Sequence, residues 1–239
     1  MKKFILMLLF IHLFLCSFSQ QIRRERIDSV LKLLQQDRKE DTTLVRRYIR
    51  LSSAYVTLKP DSTLYYADKA LALSEKLNYT WGKAYAFRNF SSGFKVMGDY
   101  PNAHAYLQRA KAIYIETNDK DRLRELEAVE ANLNFSEGDF REAIDIHLQL
   151  ISTSKSKNNF GISSGHSFIA ASYAGLHQPD SALYYARSAY SLKDKNTAYS
   201  WLSTIFGDAY LQLNRLDSAM VYYRSALQIS QSKDRKSVV

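Results

Sequence analysis

The sequence predicts an all-α array of about five helical hairpins, and three observations carry that reading. A small residue just after a turn is followed seven residues later by a second small or apolar one: Thr63/Ala70, Ala103/Ala110, Ala143/Leu150, Ala182/Ala189 and Ala219/Ala226. Their first members lie 40, 40, 39 and 37 residues apart, and such a period marks a stack of like supersecondary units rather than one globular core. Only 8 Gly and 3 Pro interrupt 239 residues, which leaves long stretches free for helices. The prolines fall in one slot, because Pro60, Pro101 and Pro179 each sit at the turn inside a pair, where a missing N–H costs nothing in a helix's first turn.

The first element reads as a leader at residues 1–19. Lys2 and Lys3 precede an apolar run at residues 4–16, and the small Ser17 and Ser19 place a cleavage near Ser19/Gln20. The run is shorter than the roughly 20 apolar residues that span a bilayer, so it reads as a cleaved export signal, with retention as an anchor the alternative. Cys16 is the one cysteine and lies inside the leader, after Leu15, which is not the small residue a lipoprotein site requires. A mature chain without cysteine excludes disulfides, thiolate metal sites and a cysteine nucleophile. Loss of Lys2 and Lys3 lowers the formal charge from +9 to about +7.

Residues 20–41 form an N-terminal capping helix and linker. Ile27, Val30, Leu31 and Leu34 recur at steps of three and four, which predicts one amphipathic helix over 22–36. Basic residues crowd this end, from Arg23 and Arg24 to Arg46, Arg47 and Arg50. An exported chain meets little nucleic acid, so the charge reads mainly as solvated helix faces, with an acidic partner or a membrane surface second.

The array at 42–231 divides into units near 42–79, 80–119, 120–158, 159–195 and 196–231, and residues 232–239 form a basic tail. The predicted helices are 42–57 with 61–77, 80–96 with 100–117, 120–136 with 140–156, 160–175 with 179–193, and 197–212 with 216–231. Asp61, Asp180 and Asp217 stand where a carboxylate favours a helix start, and Gly98 and Gly138 where positive φ ends the preceding helix. Short side chains at the seven-spacing let two helices approach closely. Tyr65, Tyr66, Tyr184, Tyr185, Tyr222 and Tyr223 then fill the flanks, so the 17 tyrosines read as packing more than as a binding box.

These residues resemble the tetratricopeptide repeat. The fifth unit places Phe206, Gly207, Tyr210, Leu216, Ala219, Tyr223 and Ala226 in the family's slots; the second places Phe87, Phe90, Ser91, Phe94, Gly98, Tyr100, Ala103, Leu107 and Ala110. The resemblance implies a right-handed α-α superhelix that presents a groove to a peptide or protein. The period exceeds the usual 34, as in repeats similar to those of kinesin light chain. The third unit puts Glu127, Glu130, Asn134 and His147 into slots that are usually apolar, and a one-residue insertion would move Leu126, Val129 and Leu133 there instead. The phrases at residues 59–67 and 178–186, with the leader, are similar to the periplasmic repeat regions of Bacteroidetes-type sensor histidine kinases and helix-turn-helix regulators. That likeness implies a periplasmic location in a Gram-negative bacterium.

First helices of such repeats line the concave groove, so the resemblance implies Arg46, Arg88, Ser92, Lys95, Asn132, Trp201 and Asp208 as groove residues. Arg88 and Lys95 are seven apart on one helix face and suit a carboxylate or an acidic peptide. Ser92 and Glu125 break the two-carboxylate clamp of chaperone-binding repeats. No constellation for catalysis, cofactor or metal appears. His104, His147, His166 and His177 lie far apart without HExxH, and there is no P-loop or GxGxxG. Ser163 and Ser164 before Gly165 make no GxSxG elbow, and the sequons at Asn78, Asn89 and Asn134 carry no weight.

The expected protein is therefore a non-enzymatic exported scaffold with a protein or peptide partner. The alternative is the sensing region of a transmembrane signalling protein whose output domain is missing. A membrane role follows only from an uncleaved leader or a spanning C-terminal part. Residues 216–231 keep the internal pattern instead of a polar cap, which predicts a further helix, a partner or self-association there.

Overall fold

The computed structural model describes residues 27–34, 39–154, 159–192 and 200–236. The predicted leader and its cleavage site lie outside the described residues, as do residues 237–239 of the expected tail. The described chain is helical, without a strand: α1 is helical over residues 27–34, followed by α2 (Thr42–Tyr55), α3 (Pro60–Lys76), α4 (Thr80–Met97), α5 (Tyr100–Glu116) and α6 (Lys120–Glu137). After these come α7 (Phe140–Ser152), α8 (Asn159–Gly175), α9 (Pro179–Leu192), α10 (Ser200–Gln212) and α11 (Leu216–Lys236). The chain divides into two compact units, Met1–Leu126 and Glu127–Val239, and the boundary falls within α6.

In the first unit α2 packs on α3 and α4 on α5, and α3 also meets α4. Its core is Val45, Ile49, Ala70, Leu73 and Ala86, with Tyr48, Tyr79 and Trp81 packed against it. α1 buries Ile27 while Val30, Leu31 and Leu34 are half-buried, as the period requires, and Arg47 donates to the Leu33 carbonyl at 3.2 Å. In the second unit α8 packs on α9 and α10 on α11, and α7 meets α8. Six of the ten residues of its core are alanine: Ala170, Ala174, Ala182, Ala186, Ala189 and Ala209. Short side chains bring the helix axes close.

The seven-spacing is a burial pattern. Thr63, Ala70, Ala103, Ala110, Ala143, Ala182, Ala189, Ala219 and Ala226 are buried, while Leu150, the one large member, is only half-buried. A second repeated device accompanies it. In four hairpins a ring on the first helix stacks on a ring of the second: Tyr55 on Tyr66 at 5.7 Å, Phe94 on Tyr106 at 5.4 Å, Tyr173 on Tyr185 at 5.5 Å and Tyr210 on Tyr222 at 5.4 Å. Their planes lie 6°, 12°, 15° and 13° apart, the offset-parallel geometry that aromatic quadrupoles favour. Each pair fastens a hairpin.

Pro60, Pro101 and Pro179 stand in the first turns of α3, α5 and α9, and Gly98 and Gly138 close α4 and α6 at φ of +77° and +101°. Four other turns use Asn78, Asn118, His177 and Asn214 at φ near +50°, residues whose short polar or planar side chains tolerate the left-handed region.

Four expectations are corrected. The carboxylates that accept from helix-start N–H groups are Asp41, Asp99 and Asp119, whereas Asp61 lies inside its first turn behind an uncapped Lys59. α2 stops at Tyr55 because Pro60 holds Lys59 in an extended conformation and the carbonyl of Tyr55 accepts from Leu58 and Lys59. α7 ends at Ser152, not near 156, because the hydroxyls of Ser152 and Thr153 both turn back to the Gln149 carbonyl. α11 runs to Lys236, since no Gly or Pro interrupts 231–236.

The third unit follows neither register wholly. Leu126 and Leu133 are buried as the one-residue shift requires, yet Asn134 and His147 are buried as well, and Glu127, Val129 and Glu130 are half-buried. His147 stacks on Phe168 at 5.2 Å. It fills the position twelve residues after Phe135 that tyrosine fills twelve after Phe94 and Tyr173, so the ring slot persists with an imidazole in it.

Candidate functional site

α2 and α4 are first helices of neighbouring hairpins, and a buried amide ties them together. Asn89 donates from Nδ2 to the Ile49 carbonyl at 3.0 Å and accepts from the Ser53 hydroxyl at 3.1 Å. This bridge leaves a stripe along α4 at steps of four, three, four and three: Trp81, Tyr85, Arg88, Ser92 and Lys95. The stripe is aromatic at one end and cationic at the other.

The rings and cations interlock. Trp81 and Tyr85 lie 4.1 Å apart by ring centroid, with Tyr79 5.6 Å from Trp81. From α2, Arg46 sets its guanidinium 5.5 Å from the Trp81 ring and donates from Nε to the Tyr79 hydroxyl at 3.2 Å. Arg88 lies 5.7 Å from the Tyr85 ring, and Arg122, which lies near enough to Tyr85 to interact with it, is paired with Asp119. Beneath them burial, then the neighbouring Tyr85, pushes the Tyr114 hydroxyl up to about 12 against the opposing pull of Arg122 and Arg88. Lys95 is half-buried, and burial alone lowers its pKa. The Ser92 hydroxyl is spent on the Arg88 carbonyl at 3.1 Å.

In the second unit a concavity of about 360 Å³ opens over α6, α7, α8 and α10. Phe135, Phe140, Trp201, Ile205 and Leu211 form its apolar lining, with Asp208 and Gln212 its polar groups. Trp201 rests on Phe168 at 4.7 Å yet remains 39% exposed, and Leu211 is 49% exposed. The floor is close-fitting, since a Cβ on Gly175 would stand 2.6 Å from the Phe140 ring. Asp208 accepts from the Tyr223 hydroxyl at 2.6 Å, and burial together with that bond pushes Tyr223 up to about 12. Gln212 donates to the Ala174 carbonyl at 2.8 Å.

The structure thus brings Trp201 and Asp208 into one concavity, and gathers Arg46, Arg88, Ser92 and Lys95 on the α2–α4 face. Asn132 joins neither set, and its amide oxygen is buried without a partner. Sequence reasoning missed Trp81, Tyr85 and Phe135, although the steps 81, 85, 88, 92 and 95 could have revealed the α4 stripe. Ser163 bonds the Ala189 carbonyl at 2.8 Å from inside α8, which is a packing role. Among the described residues no cluster of three or more His, Cys, Asp or Glu could hold a metal, and no helix is long and apolar enough to cross a membrane.

Residues 17–109 match the family model of the SusR N-terminal TPR domain, and the match ends inside α5, short of half the chain. Solved structures extend the likeness. BtubC (BKLC) from P. vanneervenii is 13% identical with a TM-score of 0.64, over 91% of this chain and 92% of that one. The chain has the tetratricopeptide-repeat fold. The kinesin light chain-like repeats of Podosopora anserina align on this chain with a TM-score of 0.60 at 14% identity, over 82% of this chain and all of that one. A Rap protein complexed with Competence and Sporulation Factor aligns with a TM-score of 0.65 at 14% identity, over 92% of this chain and 73% of that one. No curated protein sequence matches. At these identities the structures speak for the fold alone.

Proposed function

We infer that the chain is an exported tetratricopeptide-repeat scaffold whose first helices hold a peptide or protein partner, with no catalytic step of its own. The observation that carries this reading is the concavity of the second unit. A half-open Trp201 and Leu211 flank a desolvated floor, with Asp208 and Gln212 at its edge, which is the composition that peptide grooves use: apolar anchors with few polar groups. The Rap structure, solved with a bound factor, supports the use of such a fold for ligand capture.

The test is a selection of displayed peptides on the full chain, repeated on Trp201→Ala and Leu211→Asp. Selected peptides should lose at least tenfold in affinity for one or both variants. Peptides that bind all groove variants alike would refute the groove. Export is tested apart: the N-terminus of chain recovered from a Gram-negative periplasm should begin near Gln20, and an intact Met1 there would refute cleavage.

A second reading is favoured by one finding, that the matched family is an N-terminal domain. It makes the chain the extracytoplasmic sensing region of a histidine kinase or helix-turn-helix regulator. The reading frame beyond Val239 decides: an in-frame membrane span and output domain support the sensor, and a stop codon refutes it.

A further inference from the structure

Charge on the first helices of the first unit is one-sided. α2 carries Arg46, Arg47 and Arg50 and α4 carries Lys83, Arg88 and Lys95, and neither helix contains an Asp or Glu. The second helix α3 mixes Asp61, Asp68 and Glu75 with Lys69 and Lys76, so the imbalance belongs to the first helices rather than to the whole unit.

Three of these cations keep no counter-charge. Among the described residues no carboxylate pairs with Arg46, Arg88 or Lys95, while Lys76 pairs with Glu40 and Arg122 with Asp119. Two guanidinium groups instead lie over the Trp81 and Tyr85 rings. A guanidinium resting on a ring keeps its planar N–H fork ready for a bidentate carboxylate, and an ordered side chain loses less entropy when it binds one. A half-buried ammonium at Lys95 has lost water without gaining a counter-charge, so a carboxylate brought to it gains more than one brought to a free lysine.

We propose that the α2–α4 face, with Arg46, Trp81, Tyr85, Arg88 and Lys95, is the docking site of an acidic peptide segment of a protein partner, which sets a planar or apolar side chain on the rings. This rests on the groove reading above and names the ligand class. The spacing fits: Arg88 and Lys95 stand two helical turns apart, about 10 Å, and an extended polyproline-type peptide repeats one face every three residues, about 9 Å. Acidic residues three apart on such a strand meet both cations.

The experiment divides the selected peptides by their dependence on each face. Peptides that bind the full chain but not Arg88→Gln or Lys95→Gln should be rich in Asp and Glu. Replacing their Glu by Gln should weaken binding to the wild-type chain at least tenfold, a comparison that needs no protein variant. Lys69→Gln, on α3 outside the face, should bind as wild type. Peptides that depend on Trp201 or Leu211, with none depending on Arg88 or Lys95, would overturn the acidic site and leave the groove reading standing. Glu→Gln peptides that bind equally would do the same. Preference of the face for single-stranded DNA or anionic lipid vesicles over every acidic peptide would overturn the assignment to a protein partner. A selection that yields no peptide on any face would remove both readings.

Discussion

Mild acid should weaken the third hairpin through one side chain. His147 is 4% exposed, stacks on Phe168 and leaves Nε2 buried without a partner, and burial pulls its pKa from 6.5 to about 4. The fold therefore favours the neutral ring, whereas the unfolded chain takes up its proton near 6.5. The stability this contributes is complete above pH 6.5, is lost as pH falls from there toward 4, and changes no further below. At about 1.4 kcal/mol for each pH unit the whole loss approaches about 3 kcal/mol, with about 1.4 kcal/mol gone at pH 5.5 and about 2.5 at pH 4.5. The assay is urea unfolding at pH 7, 5.5 and 4.5 of wild type and His147→Phe, which keeps a ring in a slot that other hairpins fill with tyrosine. At pH 7 the variant should equal wild type or exceed it by about 1 kcal/mol, because a buried unpaired nitrogen has been removed. Carboxylates and His166 titrate alike in both proteins and cancel. Parallel pH curves for the two proteins would refute the reasoning.

Two further outcomes test the packing. Gly207→Ala places a Cβ 2.6 Å from the Tyr223 ring, whose hydroxyl is held by Asp208, so the usual helix gain of about 1 kcal/mol should turn into a loss of about 1–2 kcal/mol by thermal unfolding, whereas Gly161→Ala, with nothing within 4 Å, should not destabilise. Asn89→Asp sets a carboxylate oxygen against the Ile49 carbonyl where an N–H stood. The buried acid's pKa should rise, so the variant is at its most stable below about pH 3.9, where the protonated group can donate, and weakens as pH rises through the folded pKa. Asn89→Ala should cost about 2 kcal/mol for two lost bonds, with no such slope in urea titrations. If Asn89→Asp were no weaker at pH 7 than Asn89→Ala, the α2–α4 bridge would be open to water.

The hairpins were legible because their causes are local. A short residue every seven positions answers to helix–helix distance, and proline in a first turn answers to a donor that has no partner. Asn78, Asn118, His177 and Asn214 were less legible as helix ends, since asparagine and histidine take positive φ at many turns without advertising it as glycine does. The third unit resisted for a different reason. A register argument assumes that polar residues leave the core, yet Asn134 and His147 stay inside, because His147 supplies a flat ring to a slot defined by stacking rather than by hydrophobicity.

Trp81 and Tyr85 show where periodicity stops helping. Tyrosine serves two purposes here: Tyr66, Tyr185 and Tyr222 fasten hairpins from the second helices, while Tyr85 lies on a first helix beneath an arginine. Composition cannot separate the two, and position can. Stacking positions are fixed by the hairpin and recur, whereas positions on the proposed ligand face would answer only to a partner and be free to differ between units. They do differ. α2 and α4 are cationic without a carboxylate, α8 carries no charged residue, and α10 carries only Asp208. The first unit should therefore discriminate ligands by charge and lose affinity steeply with salt, and the second should discriminate by apolar shape and respond to salt little.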